Sequence, residues 1–270
     1  MELTELNARG LVLLGCGKMG SALLEGWLKS FLQPDSVHVI DPAPSDWLRG
    51  TGVHLNAPLP DDPAVVVIAV KPQMMGAALP QLQSMGGGQT VFVSIAAGVG
   101  LARLAETLGA SSPIVRTMPN TPAAIGQGIT ALIGNAQVTP GALDMARQLM
   151  AAVGRTVVLH DETQMDAVTA VSGSGPAYVF HLIETLAAAG VEQGLAPDMA
   201  LELARATVAG AGALAVQSGT DPAQLRTNVT SPGGTTAAAL SVLMDDDTGF
   251  PALLRRAVAA AADRSRELGQ

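Results

Sequence analysis

The fold of this chain is decided by the stretch Leu11-Val12-Leu13-Leu14-Gly15-Cys16-Gly17-Lys18-Met19-Gly20. Its apolar beginning is typical of a buried strand, and a helical pattern over residues 21–31 follows its last glycine. Gly15 allows a tight turn, Gly17 allows the close approach of a pyrophosphate, and Gly20 allows close packing of a helix on a strand. Unpaired N–H groups at the start of that helix favour phosphate oxygens. The stretch therefore predicts a dinucleotide site, with residues 15–20 around the pyrophosphate.

Short apolar runs then alternate with helical stretches through the first half of the chain. Continuous runs rich in Val and Ile fit strands that are covered on both faces, as in a parallel sheet. The predicted strands after the first lie at residues 37–40, 65–70, 91–95, 114–117, 129–133 and 156–160. Further helices are expected at 72–85, 101–108 and 140–153. This alternation predicts an α/β, Rossmann-like, doubly wound sheet over residues 1–160.

The character of the sequence changes after His160. The remainder is rich in Ala and Leu at helical spacing, with breaks at 172–176, 190–197, 218–222 and 231–234. Pro197 and Pro222 each suit the first turn of a helix. We therefore expect an all-helical second domain over residues 161–270.

The composition excludes several classes of protein. Hydrophobic residues make up 48% of the chain and charged residues 14%, which excludes a disordered chain. A net charge of −8 disfavours nucleic acid or an anionic membrane as a partner. The longest uninterrupted apolar runs, such as 64–70, are far shorter than the roughly 20 residues of a membrane span, and no signal sequence is evident. We expect a soluble, cytoplasmic protein.

The cysteine and histidine content argues against a metal site. Cys16 is the single cysteine, which excludes an internal disulfide and a site with several cysteine ligands. Beside the phosphates, Cys16 is either a redox-sensitive thiol, whose pKa the helix N-terminus lowers, or a small filler. The histidines show no metal-ligand spacing, so no metal is expected.

Asp41 ends the second predicted strand, about 20 residues beyond the last glycine of the loop. An acidic side chain here can bind both ribose hydroxyls and repels a 2′-phosphate, which favours NADH over NADPH. A turn-forming aspartate before Pro42 explains the residue nearly as well, and Arg49 lies within loop reach. The choice between NADPH and NADH stays open on these residues.

Three more loops follow predicted strands at the edge of the sheet where ligands bind. They are Val70-Lys71-Pro72, Ala96-Ala97-Gly98 and the segment Arg116-Thr117-Met118-Pro119-Asn120. We expect the first two loops to face the cofactor, and Asn120, at the same edge, to be a further cofactor-binding residue. A surface lysine is the alternative for Lys71, and a structural ion pair explains Arg116 equally well.

In the helical half, the informative segment is Ser231-Pro232-Gly233-Gly234-Thr235-Thr236. A Pro-Gly-Gly turn that opens a helix leaves backbone N–H groups unpaired and free of side chains, which makes an anion site. A substrate carboxylate is the occupant that we expect. The alternative is a tight turn between helices with Thr as the N-cap.

Four segments in order resemble the pyrroline-5-carboxylate reductase family: Ala69-Val70-Lys71-Pro72 and residues 116–122, 172–178 and 231–236. The resemblance extends from Leu11 to about residue 268. It implies reduction of L-1-pyrroline-5-carboxylate to L-proline by hydride from NAD(P)H, the last step of proline biosynthesis. It also implies a homodimer with interlocked helical domains, and further assembly into decamers.

The same resemblance implies roles for individual residues. The cofactor would meet Gly15 to Gly20, Asn56, residues 69–72 and 96–98, and Asn228. The substrate would meet Glu162, the backbone of Thr235, and the backbone and hydroxyl of Thr236. Since a hydroxyl is a weak acid, the catalytic role expected of Thr236 is to orient the substrate and relay a proton. Asp41 departs from the small polar residue that members with a strong NADPH preference tend to carry.

Two other functions compete with this interpretation. A hydroxy-acid or other imine reductase on the same plan is the nearer one, but hydroxy-acid dehydrogenases place a catalytic lysine after the domain junction. Lysines occur here only at positions 18, 29 and 71. A non-catalytic cofactor sensor is the second, and it would be expected to lose the segment 231–236. Hydrolase chemistry at 172–178 is excluded, because the nucleophile elbow is missing.

Overall fold

The computed structural model describes residues 3–269, so residues 1, 2 and 270, at the ends of the two predicted domains, lie outside it. The chain forms two compact units. One extends to Gly173 and takes in the segment that begins at Ala261, and the other is Ser174–Ala260. The contacts therefore divide the chain differently from the predicted boundary at residue 160, which stays a prediction.

An eight-stranded sheet with the order β3-β2-β1-β4-β5-β6-β7-β8 lies at the centre of the first unit. Its strands are β1 Leu11–Leu14, β2 Val37–Ile40, β3 His54–Leu55, β4 Val65–Ile68, β5 Val91–Ser94, β6 Ile114–Met118, β7 Gly128–Gly134 and β8 Gly154–Val158. The strand order reverses at β1, which pairs with β2 on one side and β4 on the other. Open α/β sheets bind ligands at such a reversal, beyond the carboxyl ends of the strands.

Twelve α-helices are described. They are α1 Leu3–Arg9, α2 Lys18–Ser30, α3 Asp46–Arg49, α4 Met75–Ala78, α5 Leu101–Leu108, α6 Pro140–Ala151, α7 Met165–Val168, α8 Gly175–Glu192, α9 Pro197–Ser218, α10 Pro222–Asn228, α11 Thr235–Leu243 and α12 Phe250–Leu268. The predicted α/β fold with a helical C-terminal region is confirmed. As predicted, Pro197 and Pro222 open α9 and α10.

Two details of the predicted fold are wrong. The helix expected over 72–85 is instead the short α4 between two 3-10 segments. Pro80 lacks the N–H that would continue α4. Strand β7 pairs antiparallel with β6 rather than parallel. The segment between them holds only a short 3-10 turn, Thr121–Ile125, whereas a parallel pair needs a crossover of a dozen or more residues. The short elements β3 and α1 were not predicted.

Successive side chains of the central strands point to opposite faces of the sheet, which divides the core into two layers. Leu11 and Leu13 pack with α2 and α6, whereas Val12 and Leu14 face the layer that contains α4 and α5. Trp27 of α2 is fully buried, and its indole N–H donates to the carbonyl of Leu149 at 2.8 Å. Parallel pairing of β1 with β4 and of β4 with β5 places the carboxyl ends of these strands at one edge of the sheet.

The second unit buries little apolar surface of its own. Within Ser174–Ala260, all of which is described, the buried hydrophobic side chains are Ala187, Ala200 and Ala204. Large apolar side chains are exposed on its helices, among them Phe180 (63%), Leu214 (54%) and Val242 (68%). Exposed apolar surface of this extent marks an interaction site.

Among the described helices, α9 is long and apolar enough to cross a membrane by length and composition. Helix α9 is not an uninterrupted apolar run, because Asp198, Glu202 and Arg205 interrupt its first half. One such helix is weak evidence of a membrane span, since a helix that packs against another protein chain passes the same test.

The paired histidines of β2 and β3 predict a pH dependence of stability. His38 and His54 stack with ring centroids 4.5 Å apart, and burial, followed by the charge of His54, lowers the pKa of His38 from its ordinary 6.5. Below about pH 6.5 the unfolded chain therefore binds more protons at this position, so stability falls as the pH falls. Between about pH 7.5 and pH 5.5, urea unfolding should show a smaller loss of stability for His38→Phe than for the unsubstituted protein. An equal loss of stability in the two proteins would contradict this role of His38.

Candidate functional site

The loop between β1 and α2 has the geometry that a dinucleotide cradle requires. Gly15 has φ +90°, and a Cβ there would lie 2.9 Å from the carbonyl oxygen of Ala69. A Cβ on Gly20 would collide with the carbonyl oxygen of Gly15, so the glycine lets α2 pack closely on the end of β1. Gly17 is exposed, and a Cβ on it would meet nothing within 4 Å. The space above Gly17 is therefore open to a ligand.

The N-terminus of α2 is available to an anion. Gly17 is its N-cap, and no side chain accepts a hydrogen bond there. The first turn contains no acidic residue, and Lys18 is exposed. Free N–H groups and the helix dipole make this a phosphate site. The residues present thus fit the pyrophosphate of a nicotinamide dinucleotide.

Asp41 joins the end of β2 to this loop. One carboxylate oxygen accepts a hydrogen bond from the N–H of Cys16 at 2.7 Å, and the other accepts from the N–H of Ala43 at 2.8 Å. The carboxylate thus lies beside the phosphate loop, as the ribose interpretation of Asp41 requires. The hydrogen bond from Ala43 is also what the alternative interpretation, a turn-forming aspartate, predicts.

Cys16 is a free, buried cysteine beside Asp41. Burial, followed by the negative charge of Asp41, raises the pKa of Cys16 to about 11. A raised pKa favours the interpretation of Cys16 as a small filler over the interpretation as a redox-sensitive thiol. Desolvation and Asp41 outweigh the effect of the helix N-terminus, and Cys16 acts as a small filler.

Asn56 holds the main chain of Asp41. Its Oδ1 accepts from the N–H of Asp41 at 2.9 Å, and its Nδ2 donates to the carbonyl oxygen of Asp41 at 2.9 Å. The resemblance implied a direct contact between Asn56 and the cofactor. Sequence reasoning from the residues alone did not find this clamp.

The loops after β4 and β5 lie at the same edge of the sheet. Lys71 is exposed and precedes the 3-10 turn that begins at Pro72, whereas Ala69 and Val70 are half-buried. After β5, Ala96 is buried, Ala97 is half-buried, and Gly98 has φ +77°. A Cβ on Gly98 would lie 3.1 Å from the Cβ of Leu268, so the end of α12 covers this loop.

The buried Arg116 forms an ion pair with the partly exposed Glu162. The guanidinium Nη1 lies 2.8 Å from Oε1 of Glu162, and the Arg116 side chain is 9% exposed. The same carboxylate oxygen accepts from the N–H of Leu101 at 2.9 Å, at the start of α5, whose N-cap Gly100 provides no side chain. Arg116 is therefore a structural ion-pair partner, and Glu162 also caps α5.

Asn120 also makes structural hydrogen bonds. Its Oδ1 accepts from the N–H of Ile129 at 2.9 Å, and its Nδ2 donates to the carbonyl oxygen of Ser172 at 3.2 Å. The side chain thus fastens the start of β7 to the segment before α8. Its predicted contact with the cofactor stays a prediction.

In the second unit, α11 begins at Thr235 with Gly234 as its N-cap. Gly233 has φ +69°, and the N–H of Gly234 donates to the carbonyl oxygen of Ser231 at 3.0 Å, which closes a tight turn. No side chain caps this helix, so the interpretation of Thr as the N-cap is wrong. The first N–H groups of α11 are therefore open to an anion.

Two further features of the second unit lie near this turn in the chain. Asn228 is the last residue of α10, and its Oδ1 accepts from Nε2 of Gln224 at 2.8 Å. An open groove of about 430 Å³ lies between α10 and α11, and sequence reasoning did not find it. Its lining residues are Arg226, Thr227, Thr230, Ala237, Leu240, Ser241 and Met244.

Among residues 3–269, no group of three His, Cys, Asp or Glu side chains is placed to hold a metal ion.

Comparison with known proteins identifies the family. Residues 162–268 match the family model for pyrroline-5-carboxylate reductase dimerisation, and residues 11–98 match a model described as coenzyme F420-dependent NADP oxidoreductase. A curated pyrroline-5-carboxylate reductase from Pseudomonas aeruginosa is 41% identical over 266 residues, covering 96% of this chain and 97% of that protein.

Solved structures show the same relationship. The structure of a pyrroline-5-carboxylate reductase from Coxiella burnetii has a TM-score of 0.91 at 32% identity, covering 98% of this chain and 100% of that one. The Plasmodium falciparum pyrroline carboxylate reductase with NADP bound has a TM-score of 0.85 at 29% identity, covering 98% of this chain and 99% of that one. The sequence and the fold agree with these relatives over nearly the full length, and this chain belongs to the pyrroline-5-carboxylate reductase family.

Proposed function

We propose that this chain reduces L-1-pyrroline-5-carboxylate to L-proline with hydride from NAD(P)H, as the last step of proline biosynthesis. Family membership over nearly the whole chain supports this reaction. The structural observation that carries it is a pair of helix N-termini without side-chain caps, at Gly17 in the first unit and at Gly234 in the second. One suits a cofactor pyrophosphate and the other a substrate carboxylate.

The helical residues orient the substrate. The N–H groups of Thr235 and Thr236, at the start of α11, hold the substrate carboxylate, with Ser231 and Gly234 shaping the turn. When bound, the nicotinamide supplies the hydride that adds to the imine carbon. The ring nitrogen has to carry a proton, because an iminium accepts hydride more readily than an imine. The Thr236 hydroxyl hydrogen-bonds this nitrogen, and its contribution is mainly one of positioning.

Glu162 is assigned to the substrate as well. Arg116 and the N–H of Leu101 both hold its Oε1, which orients the carboxylate. Its Oε2 is the atom that we assign to the substrate. The ion pair thus serves the site indirectly, by placing Glu162.

Residues of the sheet edge hold the cofactor in this proposal. The pyrophosphate binds at residues 15–20, and the loops 69–72 and 96–98 flank the nicotinamide half, together with Asn120 and Asn228. The carboxylate of Asp41, beside the N–H of Cys16, disfavours a 2′-phosphate. We therefore propose a preference for NADH, although a relative of this family binds NADP.

The match to the dimerisation family model and the exposed apolar surface both support association with other chains. The finer proposal is a cytoplasmic homodimer in which the helical domains interlock, with decamers as a further assembly. Exposed side chains on α9, such as Leu214, would then be covered by the partner rather than by a membrane.

The cofactor preference is tested by initial rates with racemic pyrroline-5-carboxylate and either NADH or NADPH. We expect a higher kcat/KM with NADH. Asp41→Ser should lower the NADH/NADPH ratio of kcat/KM about tenfold, because it removes charged hydrogen bonds to ribose and the repulsion of a 2′-phosphate. Turnover with neither cofactor would contradict the reaction itself. A ratio that Asp41→Ser leaves unchanged would contradict only the role of Asp41.

The role of Thr236 is tested by removing its hydroxyl. Thr236→Ala should lower kcat about 10- to 100-fold, the usual effect of losing a positioned proton-transfer group. Thr235→Ala is the matched control, because Thr235 acts through its backbone and the substitution preserves α11. Similar kinetics in both variants would remove the Thr236 hydroxyl from the mechanism.

The interface is tested by light scattering after size-exclusion chromatography. At micromolar concentration the unsubstituted protein should be a dimer or a larger assembly, and Leu214→Asp should shift it towards monomer, because a buried unpaired carboxylate is costly. Gln137→Asp places the same charge on an exposed position of the first unit and should leave the mass unchanged. A Leu214→Asp variant with the unsubstituted mass would contradict the assignment of α9 to the interface.

A further inference from the structure

The end of α12, from Ala261 onward, belongs to the first unit, and a buried serine fastens it there. Along the whole of α12, which the structure describes, the buried residue is Ser265, at 5% exposure. Burying a hydroxyl is costly unless it has a hydrogen-bond partner. The Ser265 hydroxyl donates to Oδ1 of Asp166 at 2.6 Å, a distance typical of a hydrogen bond to a carboxylate. Ser265 therefore fixes the end of α12 at one defined place.

The acceptor of this hydrogen bond is itself held on the sheet. Asp166 lies on the short helix α7, next to Met165. The Met165 side chain is 1% exposed and belongs to one apolar cluster with Ala131 and Ile133 of β7. Because α7 is fixed to β7 in this way, the Asp166 carboxylate gives the end of α12 a firm attachment rather than a mobile one.

One turn beyond Ser265, the main chain of α12 packs on the main chain of the loop 96–98. A Cβ on Gly98 would lie 3.1 Å from the Cβ of Leu268, and a Cβ on Gly269 would lie 2.8 Å from the carbonyl oxygen of Gly98. Gly98 is buried by this contact. Neither glycine has a side chain that could adjust its rotamer, so a shift of the end of α12 is passed directly to the loop.

A single short segment, residues 162–166, thus holds the loop after β5 from both of its ends. Its first residue, Glu162, accepts from the N–H of Leu101, just beyond the loop. Its last residue, Asp166, holds Ser265 and with it the helix end that lies on Gly98. The ends of helices fray where nothing fixes them. Without the hydrogen bond to Asp166, the last turn of α12 would be such an end.

We propose that Ser265 is a positioning residue for the nicotinamide half of the cofactor, which acts through the end of α12 and the loop 96–98. This inference rests on the proposed function, in which that loop flanks the nicotinamide. Hydride transfer requires closely aligned reacting atoms, so a loosened loop weakens the binding of the nicotinamide and its alignment. The ribose assigned to Asp41 lies at the end of β2, which β1 and β4 separate from β5. Loss of the hydrogen bond should therefore affect one half of the dinucleotide and spare the other.

The test compares the whole dinucleotide with the fragment that lacks nicotinamide. Calorimetry on the full-length protein gives the Kd of NADH and NADPH, and of ADP-ribose and its 2′-phosphate. Ser265→Ala removes the hydroxyl and keeps a good helix former in α12. We expect it to raise the Kd of the dinucleotide about fivefold and to change the Kd of the matching fragment less than about twofold. An equal rise for dinucleotide and fragment would mean general loosening of the unit and would overturn the proposal.

A double-mutant cycle tests whether the effect runs through the Ser265–Asp166 hydrogen bond. Asp166→Ala removes the same bond from its other side, so it should raise the Kd of the dinucleotide to a similar extent. The double variant should then be no weaker than either single variant, because the bond can be lost only once. Effects that multiply in the double variant would overturn the proposed route through Asp166.

The outcome also separates this inference from the proposed function. A protein that binds neither NADH nor NADPH would contradict the proposed function, and this inference with it. A protein that binds a dinucleotide with the same Kd before and after Ser265→Ala would overturn the inference alone.

Ser112 provides the matched control, since it is another buried serine of the first unit. Its hydroxyl oxygen accepts from the N–H of Gly87 at 2.8 Å. It precedes β6, at the amino ends of the parallel strands, opposite the edge where ligands bind. Ser112→Ala should lower thermal stability and leave the Kd values of dinucleotide and fragment unchanged. A selective rise in the Kd of the dinucleotide, as large as that expected for Ser265→Ala, would overturn the proposal.

Discussion

The close approach of α2 to the ends of β1 and β4 is the constraint on which the rest of the first unit depends. It is possible because Gly20 lacks the Cβ that would collide with the carbonyl oxygen of Gly15, and because Gly15 turns at a φ that other residues avoid. The same approach aims the uncapped N-terminus of α2 at the sheet edge and buries Trp27 in the layer below. Packing and anion binding thus have one physical cause.

The second unit is governed by a different constraint. Its helices α8 and α9 bury a few alanines against each other and leave large apolar side chains in water. A unit of this kind gains its main stabilisation from association, since apolar burial is the dominant favourable term in folding and assembly. The uncapped turn before α11 belongs to this unit, so one substrate-binding element of the proposed site is on the part of the chain that needs a partner.

Much of the local structure could be predicted, and the failures have physical reasons. The strands of the sheet and the Pro-Gly-Gly turn follow from apolar runs and from residues with special backbone freedom. The helix expected over 72–85 failed because Pro80 was not weighed against the apolar pattern, and β7 was expected to be parallel because a run of apolar residues carries no direction. The lowered pKa expected of a thiol at a helix N-terminus is opposed at Cys16 by burial and by Asp41, which is distant in sequence.

The sequence by itself determined the fold class, the phosphate loop and the helix start at Thr235, because each depends on the spacing of glycine, proline and apolar residues within a short segment. Only the tertiary structure decided the partners of the charged and amide side chains. Glu162 meets Arg116 and the start of α5, and Asn56 meets Asp41, across separations that no local period encodes. Such pairs form because the fold brings distant chain segments together, where the buried Arg116 guanidinium needs a hydrogen-bond partner and the exposed Asn56 amide meets the main chain of Asp41.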